Sequence, residues 1–180
     1  MNCWKTINVK KQYGFERIFL LSSIAFLTVF TVFHIIMGMV DAVPYSDRLF
    51  PLFTAVFFLI YPIHKSLHFI PLIRYREHVD FSVKKLFIYV PVLSLFVREP
   101  VPKFNFVLSL LMPFVVLNTA LLAGAYILPA FAHYFSILLA FHCGLCLIDL
   151  IYVKHLVRSP KTSLVEETAH GYEILIPPSE

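Results

Sequence analysis

FPLFTAVFFLIYPIHKSLH, running from Phe50 to His68, decides how this chain folds. From Phe50 to Ile63 no residue carries a charge. About 20 apolar residues in an α-helix cross the hydrocarbon of a bilayer, so the stretch reads as a membrane-spanning helix. Its end is different. His64 and His68 are four apart, which on a helix puts both rings on one side, close enough to share a metal ion. Between them stands Lys65. Pro62, just before the pair, is a residue that kinks helices and can re-aim His64.

The rest of the chain agrees with that reading. Of its 180 residues, 59% are hydrophobic and 14% charged, with mean hydropathy +0.79. A soluble domain carries about 25% charged residues. An integral membrane protein follows. Three further apolar runs are long enough to span, so the set is 18–40, 50–68, 106–128 and 131–153. The first is too long for a signal-peptide core and reads as a retained helix. The stretch 86–97 is apolar but about half a span, and its Val, Ile, Tyr and Phe content suits a short strand or an interfacial piece.

Basic residues set the orientation. Lys5, Lys10, Lys11 and Arg17 precede the first span, and the loop 69–105 holds Arg74, Arg76, Lys84, Lys85, Arg98 and Lys103. The tail 154–180 opens with Lys154, Arg158 and Lys161, whereas the connections on the other side carry Arg48 alone. The expected layout is an all-α membrane protein of four transmembrane helices. A segment 1–17 precedes the transmembrane domain 18–153, and both termini are cytoplasmic. Loop and tail form a small surface cap on the cytoplasmic side, which 172–176 can join as a strand. The basic loop meets anionic headgroups, so the lipid bilayer is the first partner. No basic stripe interleaved with aromatics is present, so no nucleic acid is expected. No symmetric pair of broken helices suggests a transporter.

With the loops and tails accounted for, two charged residues remain within the spans, Lys65 and Asp149. Intramembrane charges are costly and tend to find partners. Both sit near the cytoplasmic ends of their helices, at the depth of His64 and His68. His142, Cys146 and Asp149 are spaced four and three apart and share a helical face. His64, His68 and Asp149 make a two-nitrogen, one-oxygen metal set, which His142 or Cys146 can close. The alternative is metal-free, with Lys65 paired directly to Asp149.

The pair of histidines has the spacing of H-E-x-x-H, the zinc-peptidase motif whose Glu is a general base. Lys65 occupies the Glu position, and an ammonium cannot accept a proton. The order of landmarks resembles a family of bacterial multi-pass membrane proteins grouped as zincin peptidases. The resemblance runs from about Phe57 to Ile176 through His64-x-x-x-His68, Pro113-Phe114, Gly144 with Asp149, and Pro160…Val165-Glu166…Gly171-Tyr172. Family members have Gly-Asp at the late landmark, where this chain has Ile148-Asp149. The layout is also similar to site-2-type intramembrane metalloproteases, which implies zinc ligands at His64, His68 and Asp149.

The expected function is therefore a catalytically degenerate pseudo-peptidase of the bacterial plasma membrane, binding or regulating another membrane protein. The cofactor is zinc, or none. The competing reading is a metal-dependent membrane peptidase that uses an unrecognised, non-Glu base; no catalytic residue is assigned. Cys143 and Cys146 match C-x-x-C, but inside an apolar helix two small residues for close packing are the better account. His34 is expected to pack, His133 to lie at a membrane boundary, and His78, His155 and His170 to be solvated.

Overall fold

The computed structural model describes residues 2–40, 43–86, 90–97, 99–168 and 171–176; the side chains of 2, 10 and 76–97 lie outside that description. Strand β1 (Asn2–Ile7) and a short helix α1 (Val9–Tyr13) lead into the long helix α2 (Phe15–Val40). Helix α3 (Phe50–Leu67) follows, then a 3-10 segment (Ile70–His78) and a hairpin of β2 (Val79–Leu86) with β3 (Val90–Val97). The two-residue β4 (Val101–Pro102) leads into α4 (Lys103–Ile127), and α5 (Ala132–Val157) is followed by β5 (Leu164–Thr168) and β6 (Gly171–Ile176).

Among the described residues, four helices are long and apolar enough to cross a membrane: α2, α3, α4 and α5 with the turn before it. The protein is a multi-pass membrane protein. Phe19, Leu20, Leu27, Val32, Ile35 and Met39 of α2 all stand exposed. Such a stripe is costly in water and at home against lipid.

Three of the helices run past their apolar stretches at one end. α2 starts at Phe15, α4 at Lys103, and α5 continues through Lys154 and His155 to Val157. The backbone hydrogen-bond ladder continues wherever φ and ψ permit, while hydropathy marks only the part in hydrocarbon. Pro62 and Pro113 are accommodated inside α3 and α4.

Helix direction alternates, so the start of α2, the end of α3, the start of α4 and the end of α5 share one end of the bundle. The cap sits there. Its sheet is antiparallel in the order β1-β6-β5-β4, with Thr6 opposite Glu173 and Val165 opposite Ile174. The strand expected at 172–176 is β6. The first residues, expected only as part of a cytoplasmic N-terminal segment, supply the edge strand β1. Residues 86–97 fall largely on β3, a strand rather than a crossing; 87–89 lie outside the described residues.

An apolar cluster joins cap to bundle: Ile7, Val101, Val165 and Ile174 from the sheet meet Phe106, Leu110 and Leu156 from the helices. Tyr172 of β6 is held edge-on by Phe106 (4.8 Å) and Tyr152 (4.5 Å). Lys103 adds a polar tie, its Nζ donating to the carbonyls of Val157 (3.3 Å) and Ser159 (2.6 Å). A cation at the last carbonyls of α5 satisfies acceptors that the helix leaves open and opposes its dipole. Gly144 lets α5 approach α2: a Cβ there would meet the Ser22 carbonyl oxygen at 3.2 Å.

Candidate metal centre

α3 brings His64 and His68 to the capped end of the bundle, one turn apart, and α5 brings Asp149 to the same level. The two histidines are 3% and 7% exposed and Asp149 9%. His64 Nε2 lies 3.1 Å from His68 Nε2. Asp149 Oδ2 lies 3.2 Å from His64 Nε2 and 3.6 Å from His68 Nε2.

Both rings are oriented from behind. His68 Nδ1 is 2.9 Å from the Ser109 carbonyl oxygen, an acceptor only, so Nδ1 carries the proton and Nε2 the lone pair. The Ser109 hydroxyl in turn donates to the His68 carbonyl. For His64 the proton is fixed through a relay of side chains. Asn118 Nδ2 donates toward Cys143 Sγ at 3.6 Å, which turns its amide oxygen to His142 Nδ1 at 2.7 Å. His142 Nδ1 therefore donates, and its Nε2 is left as an acceptor 3.1 Å from His64 Nδ1. His64 then carries its proton on Nδ1 and its lone pair on Nε2.

The result is two imidazole lone pairs and a carboxylate oxygen converging in a buried space, all acceptors. With the protons on Nδ1, a cation among these three acceptors would satisfy them together. Metal–nitrogen and metal–oxygen bonds of about 2.0–2.2 Å at a tetrahedral angle put ligand atoms about 3.3–3.5 Å apart. The observed edges of 3.1, 3.2 and 3.6 Å fit that spacing. The second nitrogens of both rings are hydrogen-bonded, as metal-ligating histidines require.

His142 and Cys146, expected to close this set, lie instead on the opposite face of His64. Cys146 Sγ is 3.4 Å from His142 Nε2 and 3.8 Å from His64 Nδ1. The pairing of Lys65 with Asp149 is also not formed: among the described residues, Asp149 pairs with His64 and His68. Lys65 instead lines a cavity of about 60 Å³ beside the set, with His68, Ser109, Asp149, Glu167 and Tyr172. Burial holds the Tyr172 hydroxyl well above the ordinary phenol range, with Glu167, Tyr152 and Asp149 acting in the same direction. It remains a proton donor at neutral pH.

A family model described as "Putative zincin peptidase" matches residues 57–164, from within α3 to the start of β5. The chain belongs to this family. No curated protein and no solved structure matches the chain. The stretch matched by the zincin peptidase family contains His64, His68, Asn118, His142, Cys146 and Asp149, and it stops short of Glu167 and Tyr172.

Ser109, Asn118 and Glu167 escaped the sequence reading. Their signal was present for the first two: each is an uncharged polar residue inside an apolar span, which a count of charges passes over. Glu167 lies far along the chain and reaches the cavity only through the sheet. The other histidines are elsewhere. His34 stacks on Phe30 (5.4 Å), and His133 lies 3.4 Å from the Asp47 carboxylate at the uncapped end. His155, expected to be solvated, is half-buried edge-on against Tyr13. The His78 side chain and His170 lie outside the described residues. All three cysteines are free thiols.

Proposed function

We propose that the protein holds a zinc-type cation at His64, His68 and Asp149 and serves as a zincin-like membrane protein that binds a partner or substrate segment without cleaving it. The observation that carries this reading is the convergence of His64 Nε2, His68 Nε2 and Asp149 Oδ2 with both Nδ1 atoms already engaged. A bound cation would supply Lewis acidity toward a carbonyl or carboxylate. Lys65, at the position of the family's base, brings a second positive charge to the same cavity. It cannot take up a proton while charged, but it can attract an anionic or carbonyl group. Two positive centres beside a cavity suit holding such a group. The setting is the bacterial plasma membrane with the cap on the cytoplasmic side, as the basic residues of loop and tail suggest.

Elemental analysis of protein purified without chelator tests the metal. One zinc per chain is expected, lost in His68→Ala and Asp149→Ala. Zinc-free protein that takes up none on titration overturns the reading. Incubation with a membrane-peptide library tests the chemistry: no cleavage is expected, and cleavage abolished by His64→Ala defeats the binding role.

A second reading rests on Glu167. Its side chain lines the same cavity as His68 and Asp149, so β5 can supply a carboxylate base that α3 lacks. Under this reading the protein is a metal-dependent membrane peptidase. Zinc-dependent cleavage lost in Glu167→Gln but retained in Glu166→Gln would establish it.

A further inference from the structure

We infer that the opposite face of His64 is a second, soft-cation site made by His64 Nδ1, His142 Nε2 and Cys146 Sγ, and that it excludes occupancy of the first. The displacement part of this inference rests on the zinc reading above; the site itself does not.

The donors are placed as ligands. All three side chains are buried, at 3%, 0% and 1% exposure for His64, His142 and Cys146. Their edges are 3.1 Å between the nitrogens and 3.4 and 3.8 Å from sulfur to nitrogen. With bonds of about 2.0–2.1 Å to nitrogen and 2.3 Å to sulfur, a tetrahedral angle gives edges of about 3.3 Å and 3.6 Å. Each observed edge lies close to its expected value. Asn118 fixes the proton of His142 on Nδ1 at 2.7 Å, so the Nε2 lone pair faces the centre of the triangle. Cys146 follows His142 by one turn of α5, so a single helix presents two of the three donors.

Chemistry sets the class of ion. A thiol that gives up its proton on binding, with two imidazoles, is a soft set; it suits cuprous copper and zinc and rejects magnesium and calcium. The first set, with a carboxylate, is harder. In a buried interior, one thiolate neutralises a monovalent cation.

The exclusion follows from the imidazole itself. A neutral ring offers one lone-pair nitrogen and one N–H. A cation on Nε2 keeps the proton on Nδ1, where His142 Nε2 accepts it at 3.1 Å. A cation on Nδ1 moves the proton to Nε2, where Asp149 Oδ2 accepts it at 3.2 Å. Each tautomer of His64 therefore has an acceptor waiting, and the ring serves one site at a time. The protein would thus exchange one cation for another through a single ring, which makes the occupancy of the zinc site responsive to cuprous ion.

Titration with cuprous ion under anaerobic reducing conditions tests this, in a Cys3→Ser background that removes the exposed thiol. Asp149→Asn protein is expected to bind one cuprous ion per chain whether or not the wild type binds zinc. Cys146→Ser should lose at least 100-fold in affinity for cuprous ion while keeping its helical circular dichroism. His142→Gln retains hydrogen-bonding capacity but loses the ligand nitrogen, and should lose affinity similarly. Undiminished binding in Cys146→Ser would sink the site, leaving Cys146 as a packing residue. With zinc preloaded, one zinc should leave for each cuprous ion bound; a chain that holds both fully refutes the exclusion. Failure of zinc to bind the wild type, with the cuprous result intact, faults only the first-site reading.

Discussion

His64 and His68 face each other through their Nε2 atoms at 3.1 Å, and each ring has its Nδ1 committed to a hydrogen bond. Among the described residues, none supplies a donor to either nitrogen of the close pair. A cation relieves that opposition, and its binding is therefore coupled to stability. A ligand at 1,000 times its dissociation constant stabilises the folded state by about 4 kcal/mol. Zinc should raise the thermal unfolding midpoint of the wild type in detergent, and the rise should vanish in Asp149→Ala. Differential scanning fluorimetry with and without chelator measures it. An equal midpoint in both conditions argues against the centre.

The ring of His64 is held through His142 by Asn118, whose Oδ1 lies 2.7 Å from His142 Nδ1. Removing such an outer partner of a metal-binding histidine costs about 10- to 100-fold in affinity. Asn118→Leu should weaken zinc by that amount, and Asn118→Asp, which keeps the acceptor, should weaken it less. Competition against a chromophoric chelator gives the constants. Identical affinity in Asn118→Leu removes the relay from the account.

The cluster of His64, His68 and Asp149 and the helical bundle were legible in the sequence for the same reason: hydropathy and helical spacing are local signals. His64, His68 and Asp149 stood out because polar groups in an apolar span are expensive. What the sequence did not carry was ring direction. Spacing put His142, Cys146 and Asp149 on one face of α5, yet the first two meet Nδ1 of His64 and the third meets Nε2. The pairing of Lys65 with Asp149 was a sound inference from charge alone, but Lys65 is next to His64 in sequence and points to the cavity instead. Short strands in the cap were expected, but their pairing with β1 into a four-stranded sheet was not, because β1 and β6 are separated by the whole bundle and only tertiary pairing defines such short strands.

Lys103 joins the start of α4 to the carbonyls that close α5. Charged hydrogen bonds of this kind contribute about 1.5–3 kcal/mol, reduced where solvent competes. Lys103→Met should lower stability by about 1–2 kcal/mol and loosen the cap. Unfolding monitored by circular dichroism gives the loss. Proteolysis should cut β5 and β6 faster in the variant than in the wild type. Unchanged protection means that the apolar seam alone holds the cap.

Gly171 opens β6 at φ +155, and a Cβ there would overlap the Ile7 carbonyl oxygen of β1. Both the backbone conformation and the space require glycine. Gly171→Ala should destabilise by about 1–3 kcal/mol, with β1 detaching first. Faster hydrogen exchange at Cys3–Ile7 than at Val165 would show the local release. Uniform exchange would indicate that β1 is not separable from the sheet.

Tyr172 gives the cap a dependence on alkaline pH. Burial raises its folded-state pKa, so the unfolded chain loses this proton first. The stabilisation is complete below about pH 10, the ordinary phenol value, and fades as pH rises toward the folded-state value. Tyr172→Phe removes the titrating hydroxyl but keeps the ring against Phe106 and Tyr152. The variant should therefore lose less stability than the wild type between neutral pH and the alkaline range. Denaturant unfolding at a series of pH values measures the difference in slope. Equal slopes would show that the hydroxyl ionises as freely in the folded protein as in the unfolded chain.

Lys65 sets the electrostatics of the cavity that it shares with His68 and Asp149. Exchanging its charge for a carboxylate replaces repulsion of a bound cation by attraction. Interaction between unit charges near a protein surface is on the order of a few kcal/mol at contact distances and falls with separation. Lys65→Glu should tighten zinc at least tenfold, a change of about 1.4 kcal/mol, and Lys65→Met should give an intermediate gain because it only removes the repulsion. The graded order Glu, Met, Lys is the diagnostic outcome, since a general structural effect would not follow charge. Calorimetric titration of the three proteins with zinc reads the order directly. Equal affinities would place the Lys65 charge too far from the centre to act on it, and the holding role proposed for Lys65 would fall with that result.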